Sequence, residues 1–167
     1  NKDGEYAILG IPYAQYLKGD FDFAKNIIID HRNSLAFHAG IGVAVPYGNA
    51  KVVPFEKRYF SGGANSVRGW SVRNLGPGSF AGDGNFMNQS GDIKLDASIE
   101  YRTRLFWKFR GAAFIDAGNI WTIREYENQP GGAFEFDKFY KQIAVAYGLA
   151  LRIDIPPLVP TFHAGMK

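Results

Sequence analysis

The chain contains no cysteine, so it has neither a disulfide framework nor a thiolate metal site. Its net charge of +3 is too small to argue for nucleic acid as a partner. The three histidines, His31, His38 and His163, lack the spacing of metal ligands, and no Gly-x-Ser-x-Gly sequence marks a serine nucleophile. We therefore expect a protein that is not an enzyme and that uses neither a metal nor a cofactor.

Long apolar runs are also missing. The longest stretch without a charged residue, residues 33–50, contains three Gly, one Pro and one His, whereas a membrane helix needs about 20 predominantly apolar residues. No signal peptide is visible and the chain begins with Asn1, so we interpret it as a piece of a longer protein. If this protein enters a membrane, it must do so as a β-barrel, because only helices and closed barrels satisfy every backbone group in lipid.

The strongest pattern that is present is an alternation of apolar residues with polar or small ones. From Ser34 to Val45 the odd positions are apolar and the even positions are small or polar, as a strand with two different faces requires. Phe114 and Ile120 are apolar exceptions on an otherwise polar face. The alternation predicts five strands and the beginning of a sixth: Tyr13–Lys25, Ser34–Val45, Asp92–Arg104, Lys108–Trp121, Lys141–Ile155 and a last strand from about Thr161.

Periodicity alone leaves two architectures open, because the strands of a soluble β-sandwich also alternate. The lengths of the strands favour a membrane barrel. The predicted strands have about 12 to 15 residues, whereas strands of soluble sheets usually have about 5–6 and a tilted membrane-crossing strand needs about 9–11.

The connections between the strands alternate between short and long. The short ones are residues 26–33, 105–107 and 156–160, and the long ones are residues 46–91 and 122–140. Short turns on one side and long loops on the other are typical of outer-membrane barrels, whose long loops lie outside the cell. The polar face, rich in Ala and Gly with charges of both signs, fits a crowded lumen better than a solvated surface.

We therefore predict an all-β fold, a piece of an antiparallel transmembrane β-barrel, in which residues 1–167 are part of one domain. Five strands and part of a sixth are too few to close a lumen, because the smallest such barrels have 8. Exposed strand edges invite pairing with another chain, so we expect an isolated fragment to self-associate through them.

The long connection at about residues 46–91 exceeds ordinary loops, and loops beyond about 12–15 residues are usually functional or disordered. It is not a phosphate-binding loop, because no Gly-Lys-Ser/Thr follows its glycines and no helix pattern comes after it. Phe60, Val67 and Trp70 are poor choices for a solvated loop. They indicate that the loop packs against another part of the protein.

Three motifs in this part of the chain point to one family. Val67-Arg68-Gly69-Trp70 resembles the Val-Arg-Gly-aromatic motif of BamA-type outer-membrane protein assembly factors, in the bacterial surface antigen family, although Trp70 stands where Phe or Tyr is more usual. Phe114-Ile115-Asp116-Ala117-Gly118 resembles the family's aromatic-x-Asp-x-Gly signature on a later strand, and Glu100 matches an acidic residue between the two. In that family the first motif lies at the tip of a long loop folded into the lumen.

The residues themselves suggest how such a loop is held. Glu100 and Asp116 fall on the polar faces of two strands joined by a short turn, so they belong to one wall of the lumen. A planar guanidinium suits two carboxylates, and Gly69 lets the loop backbone pass close to the wall. We predict that Arg68 docks on Glu100 and Asp116, near Gly118, and latches the loop inside the barrel. The alternative is that the carboxylates only balance lumen cations, such as Arg102, Lys108 or Arg110.

The resemblance also implies a function, a location and partners. It implies a protein of the bacterial outer membrane that assembles and inserts β-barrel proteins without a covalent step. Its partners would be outer-membrane lipid, unfolded outer-membrane protein clients and accessory assembly lipoproteins, and the strand that completes the family's lateral seam would lie beyond this sequence. Two other functions stay open, a two-partner secretion transporter that exports one passenger and a passive porin or adhesin.

Overall fold

The computed structural model describes residues 7–8, 11–154 and 159–167, and within them the chain folds almost entirely into strands. The helical elements of this part of the chain are two short 3₁₀ turns, Phe55–Lys57 and Phe139–Lys141. No helix in it is long and apolar enough to span a bilayer. The strands are β1 (Ala7–Ile8), β2 (Ile11–Pro12), β3 (Gln15–Ile28), β4 (Asn33–Tyr47), β5 (Ile93–Arg104), β6 (Phe109–Trp121), β7 (Ala144–Ile153) and β8 (Thr161–Met166).

Strands β3 to β8 form one antiparallel sheet in which each strand pairs with the next along the chain, and β1 and β2 pair separately as a small hairpin. The predicted all-β antiparallel fold is therefore confirmed. The strand bounds differ by a few residues. Strand β3 continues to Ile28, the long loop occupies residues 48–92, and the β1–β2 hairpin was not predicted. The predicted end of β7 at Ile155 and most of the predicted turn at 156–160 lie outside the described residues.

The two faces of this sheet are buried in the opposite sense to those of a soluble sheet. The apolar face is open, so that Ile115 is 56% exposed and Leu149 is 67% exposed. The polar face is covered by the long loop and holds buried charges such as Asp116. A soluble β-sandwich buries its apolar face, whereas a membrane barrel turns it towards lipid. The burial pattern therefore favours the barrel.

The core of the molecule lies between the long loop and the polar face. Ala44 of β4 and Ile120 of β6 pack with Val53 and Tyr59 of the loop. Farther along the sheet, Val67 and Leu75 of the loop pack on Ala146 of β7, with Trp70 at the margin. The apolar residue Ile120 on the polar face is thus explained, because it lies beneath the loop rather than in an aqueous lumen.

The sheet does not close on itself. Among the described residues, neither the free edge of β3 nor that of β8 pairs with another strand. Six strands are fewer than the 8 of the smallest membrane barrels, so the sheet is one section of a barrel wall. Self-association of an isolated fragment through these edges stays a prediction.

Candidate functional site

The segment Val67–Trp70 forms a compact turn at the inner tip of the long loop. The Trp70 amide donates to the Val67 carbonyl at 3.1 Å, and the Gly63 amide donates to the Trp70 carbonyl at 2.8 Å. A hydroxyl contact of 3.2 Å between Ser61 and Ser66 closes the segment farther back. Val67 is fully buried, so the turn is anchored by its apolar residue and presents the Arg68 side chain to the sheet.

Asp116 on β6 receives the guanidinium of Arg68 in a two-pronged contact. Arg68 Nε donates to Oδ2 and Nη2 donates to Oδ1, both at 2.7 Å, and the Arg68 backbone amide adds a third bond to Oδ2 at 3.1 Å. Ser98 on β5 also donates to Oδ1 at 2.8 Å. The Asp116 side chain is fully buried and that of Arg68 is 7% exposed. A paired, charge-assisted geometry of this kind is the strongest common form of a side-chain hydrogen bond.

Glu100 on β5 shares its two oxygens between the loop and the barrel wall. Its Oε2 accepts from Arg68 Nη1 at 2.5 Å. Its Oε1 accepts from Arg102 Nε at 2.7 Å and from Arg152 Nη2 at 2.6 Å. The structure thus brings together Arg68, Glu100 and Asp116, which we call the latch site, and it also pairs Glu100 with lumen arginines. Of the other cations considered as balancing charges, Arg110 pairs with Asp154 instead, at 2.5 Å.

The electrostatics of the latch site keep Arg68 charged. Burial by itself lowers the pKa of the guanidinium, but its hydrogen bonds to Asp116 and Glu100 outweigh the effect of burial, and the pKa of Arg68 is raised above its ordinary value. The guanidinium carbon also lies 3.6 Å from the centre of the Phe114 ring, a cation–π contact on a buried aromatic face. Arg68 is therefore held by two carboxylates in its plane and by a ring against its face.

Glycines allow the loop to approach the wall so closely. A Cβ on Gly69 would lie 2.7 Å from the Ala146 Cβ and 3.0 Å from the Met166 carbonyl oxygen. The loop backbone therefore lies directly on β7 and β8. Gly118 lies against the neighbouring strand. A Cβ there would lie 2.6 Å from the Leu95 carbonyl oxygen, so this glycine allows β5 and β6 to pack closely, and its part in the latch stays a prediction.

Three members of the network were not identified from the sequence as partners of Arg68 or Glu100: Ser98, Phe114 and Arg152. Phe114 carried a signal, because it breaks the alternation of its strand. The break marks a point where the lumen face is covered by packed protein. Ser98 and Arg152 carried no signal in the sequence, since small and charged residues are ordinary on a lumen wall. Only the register of the strands brings them to Asp116 and Glu100.

A second buried ion pair lies within the first long loop at the other end of the sheet, and both of its members also bind the second long loop. Arg58 Nε lies 3.1 Å from Asp92 Oδ1, and the Asp92 side chain is fully buried. Gln129 of the second long loop, residues 122–143, accepts from Arg58 at 3.3 Å and donates to the Ser90 carbonyl at 2.8 Å. Neither this cluster nor the latch site resembles a metal site. In the described part of the chain, no group of three or more His, Asp or Glu side chains is arranged to hold a metal ion.

Comparison with known proteins agrees with this geometry. Residues 4–161 match the family model described as the Omp85 superfamily domain. The chain is 30% identical over 102 residues to the outer membrane protein assembly factor BamA of Neisseria meningitidis serogroup B, a match that covers 56% of this chain and 12% of that protein. Its fold is similar to the crystal structure of BamA from Haemophilus ducreyi lacking POTRA domains 1–3, with a TM-score of 0.71 and 22% identity, over 90% of this chain and 31% of that one.

The chain thus spans a small part of the length of these relatives, and the second of them supports the fold alone. The family model, in contrast, covers nearly all of the sequence, including the long loop and every strand from β3 to β7. The chain therefore belongs to the Omp85 superfamily, and it is part of a β-barrel of the bacterial outer membrane.

Proposed function

We propose that this chain is the latch-bearing wall of a BamA-like factor that folds and inserts β-barrel proteins into the outer membrane. The observation that carries the proposal is the buried network in which Arg68 ties the long loop to Asp116 and Glu100. The relative named as an outer membrane protein assembly factor supports the same function. A passive pore has no need of a loop fixed inside its lumen by buried charges.

The proposed activity has no covalent step. An unfolded strand in lipid must pair its backbone groups, because unpaired ones are very unfavourable there. A barrel whose seam opens offers a strand edge, and an incoming strand that adds to that edge obtains its hydrogen bonds by β-augmentation.

The latch site would preserve the shape of the barrel during this exchange. Through Arg68 and its neighbours the loop contacts β5, β6, β7 and β8 at once, by way of Glu100, Asp116, Ala146 and the backbone at Met166. These four strands are thereby held as one unit while a seam elsewhere opens. The proposed partners are unfolded outer-membrane protein clients, the surrounding lipid and accessory assembly lipoproteins.

Depletion of the full-length protein in the parent organism tests the function. We expect many unrelated outer-membrane barrel proteins to fall together when they are quantified by mass spectrometry. Loss of a single secreted passenger, with the porins retained, would instead identify a two-partner secretion transporter and refute the proposal. No change in either group would indicate a passive porin or adhesin.

Complementation of the depleted strain then tests the latch site. Arg68→Glu should fail to restore the barrel proteins, and Asp116→Arg in the same chain should restore part of the function by reversing the pair. Arg73→Glu is the matched control, since Arg73 lies in the same loop but is exposed and contacts Phe60 of the loop rather than the barrel wall. If Arg68→Glu complements as well as Arg73→Glu, the latch has no part in the activity.

A further inference from the structure

Three arginines stand directly beside one another across β5, β6 and β7, and we call them the arginine row. Arg104 pairs in register with Arg110, and Arg110 pairs in register with Arg152. All three belong to the set of positions that faces the lumen. Like charges directly opposite each other destabilise a sheet, so the row opposes folding. An arrangement that weakens the fold calls for a role other than stability.

Two further arginines enlarge the positive charge. Arg102 lies two residues before Arg104 on the same face, and the Arg104 amide donates to the Arg32 carbonyl at 2.8 Å. Together with the row they line a cavity of about 230 Å³. Five of the charged side chains in its walls are cations, Arg32, Arg102, Arg104, Arg110 and Arg152, and one is an anion, Asp30.

Nearby carboxylates neutralise only part of this charge. Asp154 pairs with Arg110, and Glu100 binds Arg102 and Arg152 while also holding Arg68 of the loop. The third carboxylate, Asp30, is occupied by its own turn, where it accepts from two backbone amides and a side-chain amide at 2.7–2.9 Å. The cavity therefore keeps an excess of positive charge that an anion from outside the chain can neutralise.

The position of the row in the barrel limits which kind of anion can reach it. It lies at the end of the sheet where the short turns are, opposite the long loops, and in outer-membrane barrels this is the periplasmic end. It faces the lumen, whereas the head groups of the bilayer meet the apolar outer face of the strands. A polymer entering the lumen from the periplasm can reach the row, and a lipid phosphate in the leaflet cannot.

We propose that the arginine row binds an acidic stretch of an unfolded polypeptide at the periplasmic mouth of the lumen. That this polypeptide is an outer-membrane protein client rests on the proposed function. Guanidinium groups bind carboxylates through paired, charge-assisted hydrogen bonds. Adjacent strands lie about 4.8 Å apart, so the row spans about 10 Å, the length of about three residues of extended peptide. Two carboxylates placed two residues apart on an extended segment, about 7 Å from each other, therefore fall within the span of the row.

Binding of a labelled peptide to the purified full-length protein in detergent tests the inference. The probe is a fluorescent ten-residue peptide with alternating Glu and Ser, compared with the same peptide carrying Gln for Glu, and binding is followed by fluorescence anisotropy. We expect the Glu peptide to bind at least tenfold more tightly than the Gln peptide. Arg104→Gln with Arg110→Gln should weaken its binding at least tenfold. Arg104→Gln alone, which breaks no ion pair within the described part of the chain, should weaken it severalfold. Arg124→Gln, an exposed arginine of the second long loop, should leave it unchanged.

Three results would overturn the inference. The first is equal binding by the Arg104→Gln protein and the parent protein. The second is displacement of the peptide by phosphatidylglycerol vesicles in a manner that depends on Arg104, which would assign the row to lipid phosphate. The third is a lower unfolding temperature for Arg104→Gln, which would show that the row stabilises the wall.

This binding measurement is independent of the depletion experiment. If depletion removes only one secreted passenger but the peptide still binds through the row, the proposed function fails and the row binds that passenger instead. If the amounts of many barrel proteins fall but binding of the peptide does not depend on the arginine row, the proposed function stands and the inference fails.

Discussion

Replacement of Arg68 by methionine should release the long loop from the barrel wall. The change removes both 2.7 Å bonds to Asp116, which keeps its donors from Ser98 and from the backbone amide of residue 68. Glu100 keeps Arg102 and Arg152. Removing one partner of a buried ion pair costs about 3–5 kcal/mol. Because both carboxylates retain other donors, we expect the lower end, about 3 kcal/mol, which raises the undocked population about 150-fold.

A thiol placed beneath the loop measures that population. Val67 is fully buried in the docked state, and the chain has no cysteine of its own. With Val67→Cys in a full-length protein free of other cysteines, a maleimide should react slowly, because only undocked molecules expose the thiol. Adding Arg68→Met should accelerate the reaction about 100-fold or more. Arg73→Met, an exposed position in the same loop, is the matched control and should not change the rate.

The outcome that refutes this reasoning is a rate within about threefold of the parent protein. It would mean that the apolar contacts of Val67 and Leu75 with Ala146 hold the loop without the ion pair. A double variant, Arg68→Met with Asp116→Asn, distinguishes the physical cause. Because it removes the stranded buried charge, it should react more slowly than Arg68→Met alone.

Three further changes give separate tests. Gly69→Ala should make the thiol of Val67→Cys react with maleimide at least tenfold faster, since the added Cβ would lie 2.7 Å from the Ala146 Cβ. Ala146→Gly in the same protein should partly restore the slow reaction. Asp92→Asn should weaken the tie between the two long loops at Arg58, so that limited proteolysis cuts residues 122–143 faster while the thiol stays protected. Leu149→Arg, on the exposed apolar face, should lower the free energy of unfolding from lipid vesicles by about 2–4 kcal/mol if the residue lies near the midplane. No loss of stability would indicate that this face does not meet lipid.

The strands and the positions of the latch carboxylates were predictable because both depend on short-range rules. Alternation with a period of two determines which residues share a face. The short turn at residues 105–108 then requires β5 and β6 to pair, so Glu100 and Asp116 had to lie on one wall. The register confirms this placement, with Asp116 opposite Ser98 and Glu100 opposite Phe114. The role of these residues as a latch stays a prediction until the thiol experiment is done.

The remaining features depend on contacts between distant segments that no local pattern encodes. Arg58 and Asp92 are 34 residues apart in an irregular loop, where no periodicity indicates which side chains meet. The close contact of Gly118 with β5 was not predicted, for a similar reason. Its place in the motif suggested a role at the Arg68 pocket, but its lack of a side chain serves the backbone of β5 at Leu95. A motif identifies residues that work together without saying which of them touch.

The strength of the ion pair at the latch site depends on the loop that covers it. Two opposite charges 4 Å apart attract with about 1 kcal/mol in water and about 4 kcal/mol at an effective dielectric constant of 20. While the loop is docked, Arg68 and Asp116 are shielded from water and the attraction is strong. If water reached the site, the same pair would weaken several-fold and each charge would be rehydrated. Burial beneath the loop therefore keeps the ion pair strong while a seam elsewhere in the barrel opens.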